Sequence, residues 1–99
     1  MSAKKFQYQT IVVLNSRLEE KQRDKSLEKI EEWAKEAGAE EIKKTHFGIK
    51  DLVYKVKKED RGDFWIIDLT AQKPMNFKEY NLYLNREVNI IRYLVLKQE

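Results

Sequence analysis

Four runs with strand periodicity are interrupted by two helix-patterned segments, and few folds accept the resulting order of strand, helix, strand, strand, helix, strand. The first run, Phe6 to Leu14, sets Phe6, Tyr8, Thr10, Val12 and Leu14 on one face and turns apolar on both faces from Ile11. That pattern predicts a central strand. Ser16-Arg17-Leu18-Glu19 then reads as a capping box opening a helix. Leu27, Ile30, Ala34 and Ala37 fall on one stripe of that helix with Trp33 beside it, and Gly38 supplies a left-handed stop.

A second strand is expected from Glu41 to Lys58, kinked or bulged at Gly48. Glu59-Asp60-Arg61-Gly62 has turn chemistry, which predicts a hairpin into a third strand from Asp63 to Ala71. Pro74 and a second capping box, Asn76-Phe77-Lys78-Glu79, introduce a short helix that groups Phe77, Tyr80 and Leu84. Val88 to Lys97 forms the last strand. The order is that of an α+β, ferredoxin-like β-α-β-β-α-β domain: a four-stranded antiparallel sheet with two helices on one face. The second and fourth strands are its edges. Its other face stays open and would show Ile11 or Val13, Phe64 and Ile66, an apolar surface that argues for a partner. Residues 1–99 make one domain, with 1–5 as a flexible basic arm.

Charge is concentrated in one place. Residues 43–58, KKTHFGIKDLVYKVKK, sum to +5 while the whole chain carries only +3, so everything else is net −2. Lysines interleaved with apolar and aromatic residues on a strand suit a rigid surface for a polyanion. The same pattern also serves an edge strand charged against sheet-to-sheet aggregation. From Arg17 to Ala37, by contrast, seven acids accompany six bases, the composition of a solvated helix face.

Several classes are excluded or unsupported. Without cysteine there is no disulfide scaffold and no thiolate metal site. No apolar run is long enough to span a membrane, and the start MSAKKFQYQT lacks the apolar core of a secretory signal. Catalysis finds no constellation. His46 is the single histidine and has no evident nucleophile, so it reads as a surface or hydrogen-bonded imidazole rather than a general base. No glycine-rich phosphate loop and no ligand spacing for a metal occur, so neither cofactor nor metal is expected. Arg61-Gly62-Asp63-Phe64-Trp65-Ile66 opens like the basic-glycine-aromatic signature of the RNA-recognition motif. Asp63 and Asp68, however, stand where stacking aromatics belong. Lysine and arginine contacts to the nucleic-acid backbone remain.

The chain resembles the bacterial small-subunit ribosomal protein S-six family. Phe6-Gln7-Tyr8 matches its tyrosine-bearing first strand, Leu14-Asn15 the strand end, and Gly38-Ala39 the helix end. The family's stretch aromatic-Gly-basic-basic-x-Leu-Ala-Tyr-Pro-Ile appears as Phe47-Gly48-Ile49-Lys50-Asp51-Leu52-Val53-Tyr54-Lys55-Val56. Gly62 and Phe64 fit the hairpin, and Asn89 to Lys97 resembles the last strand with its arginine, here Arg92. The resemblance covers residues 6–97. Ile49 replaces a basic residue and Asn85 an arginine, both removing positive charge, while Lys55 replaces the proline, adding charge and restoring a backbone N–H on the second strand.

The resemblance implies a non-catalytic structural protein of the cytoplasmic small ribosomal subunit. It would bind the central domain of small-subunit ribosomal RNA as a heterodimer with ribosomal protein S-eighteen. It further implies RNA contacts at Tyr8, Tyr54, Lys58, Arg92 and Lys97, with Lys4 and Lys5 on the mobile arm; the basic second strand adds Lys55 and Lys57 to the RNA candidates, and the open sheet face adds Phe64 and Ile66 as partner contacts. Each tyrosine could instead pack its ring at a strand end. Arg92, in an apolar strand, needs a partner, either phosphate or a carboxylate such as Asp68, and guanidinium geometry favours phosphate. The alternative function is a stand-alone module of the same fold that binds a small ligand or pairs with itself.

Overall fold

A computed structural model describes residues 6–56 and 58–98, without the side chains of Lys55, Val56 and Gln98. The elements follow the predicted order: β1 (Phe6–Asn15), α1 (Glu20–Glu36), β2 (Glu41–Val56), β3 (Glu59–Ala71), α2 (Lys78–Arg86) and β4 (Ile90–Gln98). They form one antiparallel sheet in the order β2-β3-β1-β4. The ferredoxin-like reading therefore holds, with β2 and β4 at the edges.

The core lies between the sheet and the helices. Tyr8, Thr10, Val12 and Leu14 of β1 and Ile67, Leu69 and Ala71 of β3 face Leu27, Ile30 and Ala34 of α1 and Tyr80 and Leu84 of α2, all buried. Period two on the strands and period 3.6 on the helices make these residues converge. Burial of each large aliphatic side chain contributes about 1.5–3 kcal/mol.

Polar links lock the layers together. The Tyr80 and Thr10 hydroxyls meet at 2.9 Å across the buried α2–β1 contact. Asn89 donates through Nδ2 to Ser26 Oγ at 3.1 Å, tying the turn before β4 to α1.

Both helix starts differ from the capping boxes expected at Ser16 and Asn76. Asn15 Oδ1 accepts the Arg17 N–H at 2.9 Å, and Asn15 O accepts the Leu18 N–H at 3.3 Å. That turn consumes residues 15–18, so α1 begins after Glu19, whose N–H donates to Gln22 Oε1 at 3.2 Å. At α2, Asn76 Oδ1 accepts the Lys78 N–H at 3.1 Å and Phe77 is the last residue before the helix. Gly38 ends α1 with φ +118°, as its position predicts.

The hairpin also differs. Glu59 to Gly62 belong to β3 instead of forming a turn; Val56 pairs with Glu59, and Lys58 adopts φ 66° between the strands. Chain reversal therefore falls on a shorter, lysine-bearing link. Gly62 is required for packing: a Cβ there would lie 2.2 Å from Val13 Cγ1. Its small size lets Val13 close down on the open side of the sheet.

The irregularity expected at Gly48 is present. Pairing of β2 with β3 slips by one residue between His46 and Gly48, leaving Phe47 as the extra residue of a bulge, and Gly48 takes φ +97°. A further slip lies between Asp51 and Val56.

Candidate nucleic-acid interface

Strand register assigns every sheet residue to a face. Opposite the helices lie Gln9, Ile11 and Val13 of β1 against Asp68, Ile66 and Phe64 of β3, with Leu94 and Arg92 of β4 beyond Ile11 and Val13. Phe64 and Ile66 are half-buried there, and Leu94 is exposed. Ile11, Val13, Phe64, Arg92, Tyr93 and Leu94 line a shallow hollow of about 220 Å³. Two residues expected to meet a partner thus share one apolar patch with β1 and β4.

The bulge controls which lysines reach this face. Before it, Lys44 shares the helix side with Ile67 and bonds Glu31 at 2.7 Å, while Lys43 and Thr45 lie on the open side beside Asp68 and Ile66. One inserted residue reverses the phase, so Lys50 joins Gly62 on the open side instead of pointing helixward. Its Nζ lies 5.2 Å from the Phe47 ring centroid and 6.0 Å from that of Phe64, within cation–π range. Among the described residues, Lys43, Lys50 and Arg92 have no ion-pair partner. Their charge is available to an external anion. Lys50 was not among the residues singled out from the sequence, because its face depends on an insertion that alternation alone does not count.

Arg92 corrects one expectation. It is exposed at the rim of the hollow and does not bond Asp68, whose Oδ1 instead accepts from Gln9 Nε2 at 3.1 Å. The apolar run around Arg92 suggests burial only if both faces of the strand are covered, and one face here is open.

Tyr8 is also placed elsewhere than the resemblance implied. It is buried, its ring meets Phe77 edge-on at 4.8 Å, and its hydroxyl accepts the Met75 N–H at 3.3 Å. Tyr8 is a core residue. Tyr54 is the opposite, 81% exposed next to Val53 at 89%. The last pair of β1 with β3 is Asn15 with Gly62, so Asp51 to Arg61 project past the end of β1 as an arm carrying Tyr54 and Lys58.

Arg92 and Lys97 do not form one cluster. Arg92 pairs with Val13 and Lys97 with Tyr8, which places them on opposite faces. Four residues of strand lie between them, a separation of about 16 Å at strand rise. Lys97 Nζ lies 6.0 Å from the Phe6 ring. Lys4, Lys5 and Lys57 lie outside the described residues, as does the side chain of Lys55.

His46 is held by neighbours rather than poised over a cleft. Its Nε2 lies 2.5 Å from Asp63 Oδ1, and its ring stacks on Trp65 with centroids 4.2 Å apart. Trp65 Nε1–H donates to Asp63 Oδ2 at 3.1 Å, and the Arg23 guanidinium sits 5.5 Å from the Trp65 centroid. Asp63 is thereby a buried carboxylate with both oxygens engaged. Among the described residues no group of histidine, cysteine or acidic side chains could hold a metal. No described helix is long and apolar enough to cross a membrane.

The family model described as Ribosomal protein S6 matches residues 7–97. A small ribosomal subunit protein bS6 of Campylobacter lari is 31% identical over 93 residues, covering 93% of this chain and 73% of the relative. Its Streptomyces coelicolor counterpart is 29% identical over 92 residues, covering 93% and 95%. The crystal structure of 30S ribosomal protein S6 from Thermotoga maritima superposes with a TM-score of 0.80 at 18% identity. It covers 96% of this chain and 89% of that one, which shows the shared fold. With the family match running over nearly its whole length, this chain belongs to the ribosomal protein S6 family, whose members are proteins of the small ribosomal subunit and not enzymes.

Proposed function

We propose that this chain binds the central domain of small-subunit ribosomal RNA together with ribosomal protein S-eighteen, as a cytoplasmic structural subunit acting as one domain. The observation that carries the reading is the open sheet face. There an apolar centre of Ile11, Val13, Phe64, Ile66 and Leu94 is flanked by Lys43, Lys50 and Arg92, none of them neutralised within the described residues. A desolvated centre with a charged rim is the anatomy of an interface. The partner protein would cover Phe64 and Ile66 from the β2 side. RNA would meet the cations left around that contact, Arg92 among them, together with Lys55, Lys57 and Lys58 and the exposed ring of Tyr54. Lys97 would contribute from the other end of the sheet, and Lys4 and Lys5 would add to the RNA contact. Tyr8, being buried, is not part of this footprint.

A stand-alone small-ligand module is less well supported. The open-face hollow of about 220 Å³ falls below the roughly 300–1,000 Å³ of sites that enclose small molecules. A filter-binding titration of central-domain RNA fragments, with and without S-eighteen, tests the proposal. The pair should bind more tightly than this chain alone; equal affinity would rule out partner-dependent assembly.

A further inference from the structure

On the helix side, away from the sheet face, α1 and α2 leave a recess of about 130 Å³ lined by Trp33, Glu36, Glu79, Tyr80 and Tyr83 with Ala37 and Asn76. Trp33 and Tyr83 stack along one wall with centroids 5.3 Å apart at 29°. Neither the Trp33 indole N–H nor the Tyr83 hydroxyl has a hydrogen-bond partner among the described residues. Glu36 and Glu79 have no ion-pair partner there either, although lysines and arginines abound on both helices. No cationic side chain lines the recess. Glu36 also occupies the last position of α1, where the helix dipole favours cations over acids. The negative end of that helix and both carboxylates therefore act in the same direction.

Gaps between crossing helices are ordinarily closed by aliphatic side chains, and a gap kept for packing alone needs neither unpaired acids nor a tryptophan face. Tryptophan is the aromatic ring that attracts cations most strongly. The volume is too small for a whole metabolite and suits one side-chain head. We infer that this recess binds the guanidinium head of an arginine side chain presented by a protein segment. The planar cation would lie against the Trp33–Tyr83 wall with its N–H groups directed to Glu36 and Glu79. The site is independent of the sheet-face reading, and it gives a chain of net charge +3 a place to accept a cationic partner on its opposite side.

The test is a titration of the full chain with a short capped arginine peptide lacking aromatic residues, followed through the two tryptophan indole N–H resonances. The Trp33 signal should move saturably while that of Trp65 stays in place. Glu36→Gln with Glu79→Gln, both at exposed positions, should weaken binding at least fivefold with an unchanged melting temperature. Spermidine at equal charge concentration should bind less well than the peptide. A Trp33 resonance that does not move, a response unaffected by the double substitution, or spermidine binding as tightly as the peptide would each overturn the assignment.

Discussion

The hydroxyls of Tyr80 and Thr10 share a hydrogen bond of 2.9 Å at the centre of the core, seventy residues apart in sequence. Burial raises the Tyr80 pKa from 10.0 to about 12, partly offset by the bond from Thr10. In the unfolded chain the phenol ionises near its ordinary value, so between about pH 10 and 12 the unfolded state loses a proton that the folded state keeps. Tyr80 thus contributes stability that is fully present below pH 10 and is lost as pH rises toward 12, about 2–3 kcal/mol in all. Tyr80→Phe should flatten that part of the alkaline stability curve, measured by urea unfolding at a series of pH values. An unchanged alkaline slope would contradict the assignment.

Gly62→Ala should destabilise by about 1–3 kcal/mol through overpacking, since the added methyl meets Val13 Cγ1. Adding Val13→Ala should recover part of that loss. Thermal melts of the single and double variants provide the comparison, and additive losses would exclude a direct clash.

His46→Ala removes a ring stack and one of two side-chain bonds to buried Asp63, so a loss of about 1–3 kcal/mol is expected. Incorporation into small subunits should persist once the variant is folded. Abolished function in a folded variant would argue for a direct role of the imidazole.

RNA association should depend steeply on salt. If about five phosphates are neutralised, log affinity falls with log salt at a slope of roughly −4. Lys50→Ala and Arg92→Ala should each reduce the magnitude of that slope by about 0.7–0.9, as measured by filter binding over a range of potassium chloride. A flat response would remove the polyanion reading.

Phe64→Asp should weaken the complex with S-eighteen while unfolding stays cooperative, because the ring is half-buried on the open face and outside the core. Calorimetric titration and a denaturant melt together separate lost docking from lost folding.

Much of the fold can be read from local patterns because each element carries its own periodicity. The β1 strand, apolar on both faces from Ile11, could only be central, and Gly38 marked the end of α1 through its backbone freedom alone. The sequence is less informative where two local signals compete. Ser16 had a capping partner in Glu19, but Asn15 closes a turn over the same residues first. Glu59 to Gly62 had turn composition, but pairing with β2 draws them into the ladder. At the candidate interface, Phe64 and Ile66 followed from alternation, whereas the burial of Tyr8 and the exposure of Arg92 depend on which face the helices cover. The place of His46 against Asp63 and Trp65 had no sequence signal, because it arises from the pairing of β2 with β3.

The extra residue at Phe47 gives the second strand two halves of opposite phase, with Lys44 directed toward the helices ahead of it and Lys50 away from them beyond it. Gain or loss of one residue between Gly48 and Asp51, where pairing with β3 is regular, would exchange the sides of the residues paired there and turn Lys50 inward. Past Asp51 the pairing slips again before Val56, so a change of length in that part of the arm leaves Lys50 where it is. Which lysine reaches the open face is therefore set by the short regular stretch after the bulge, while the arm beyond it is free to vary in extent.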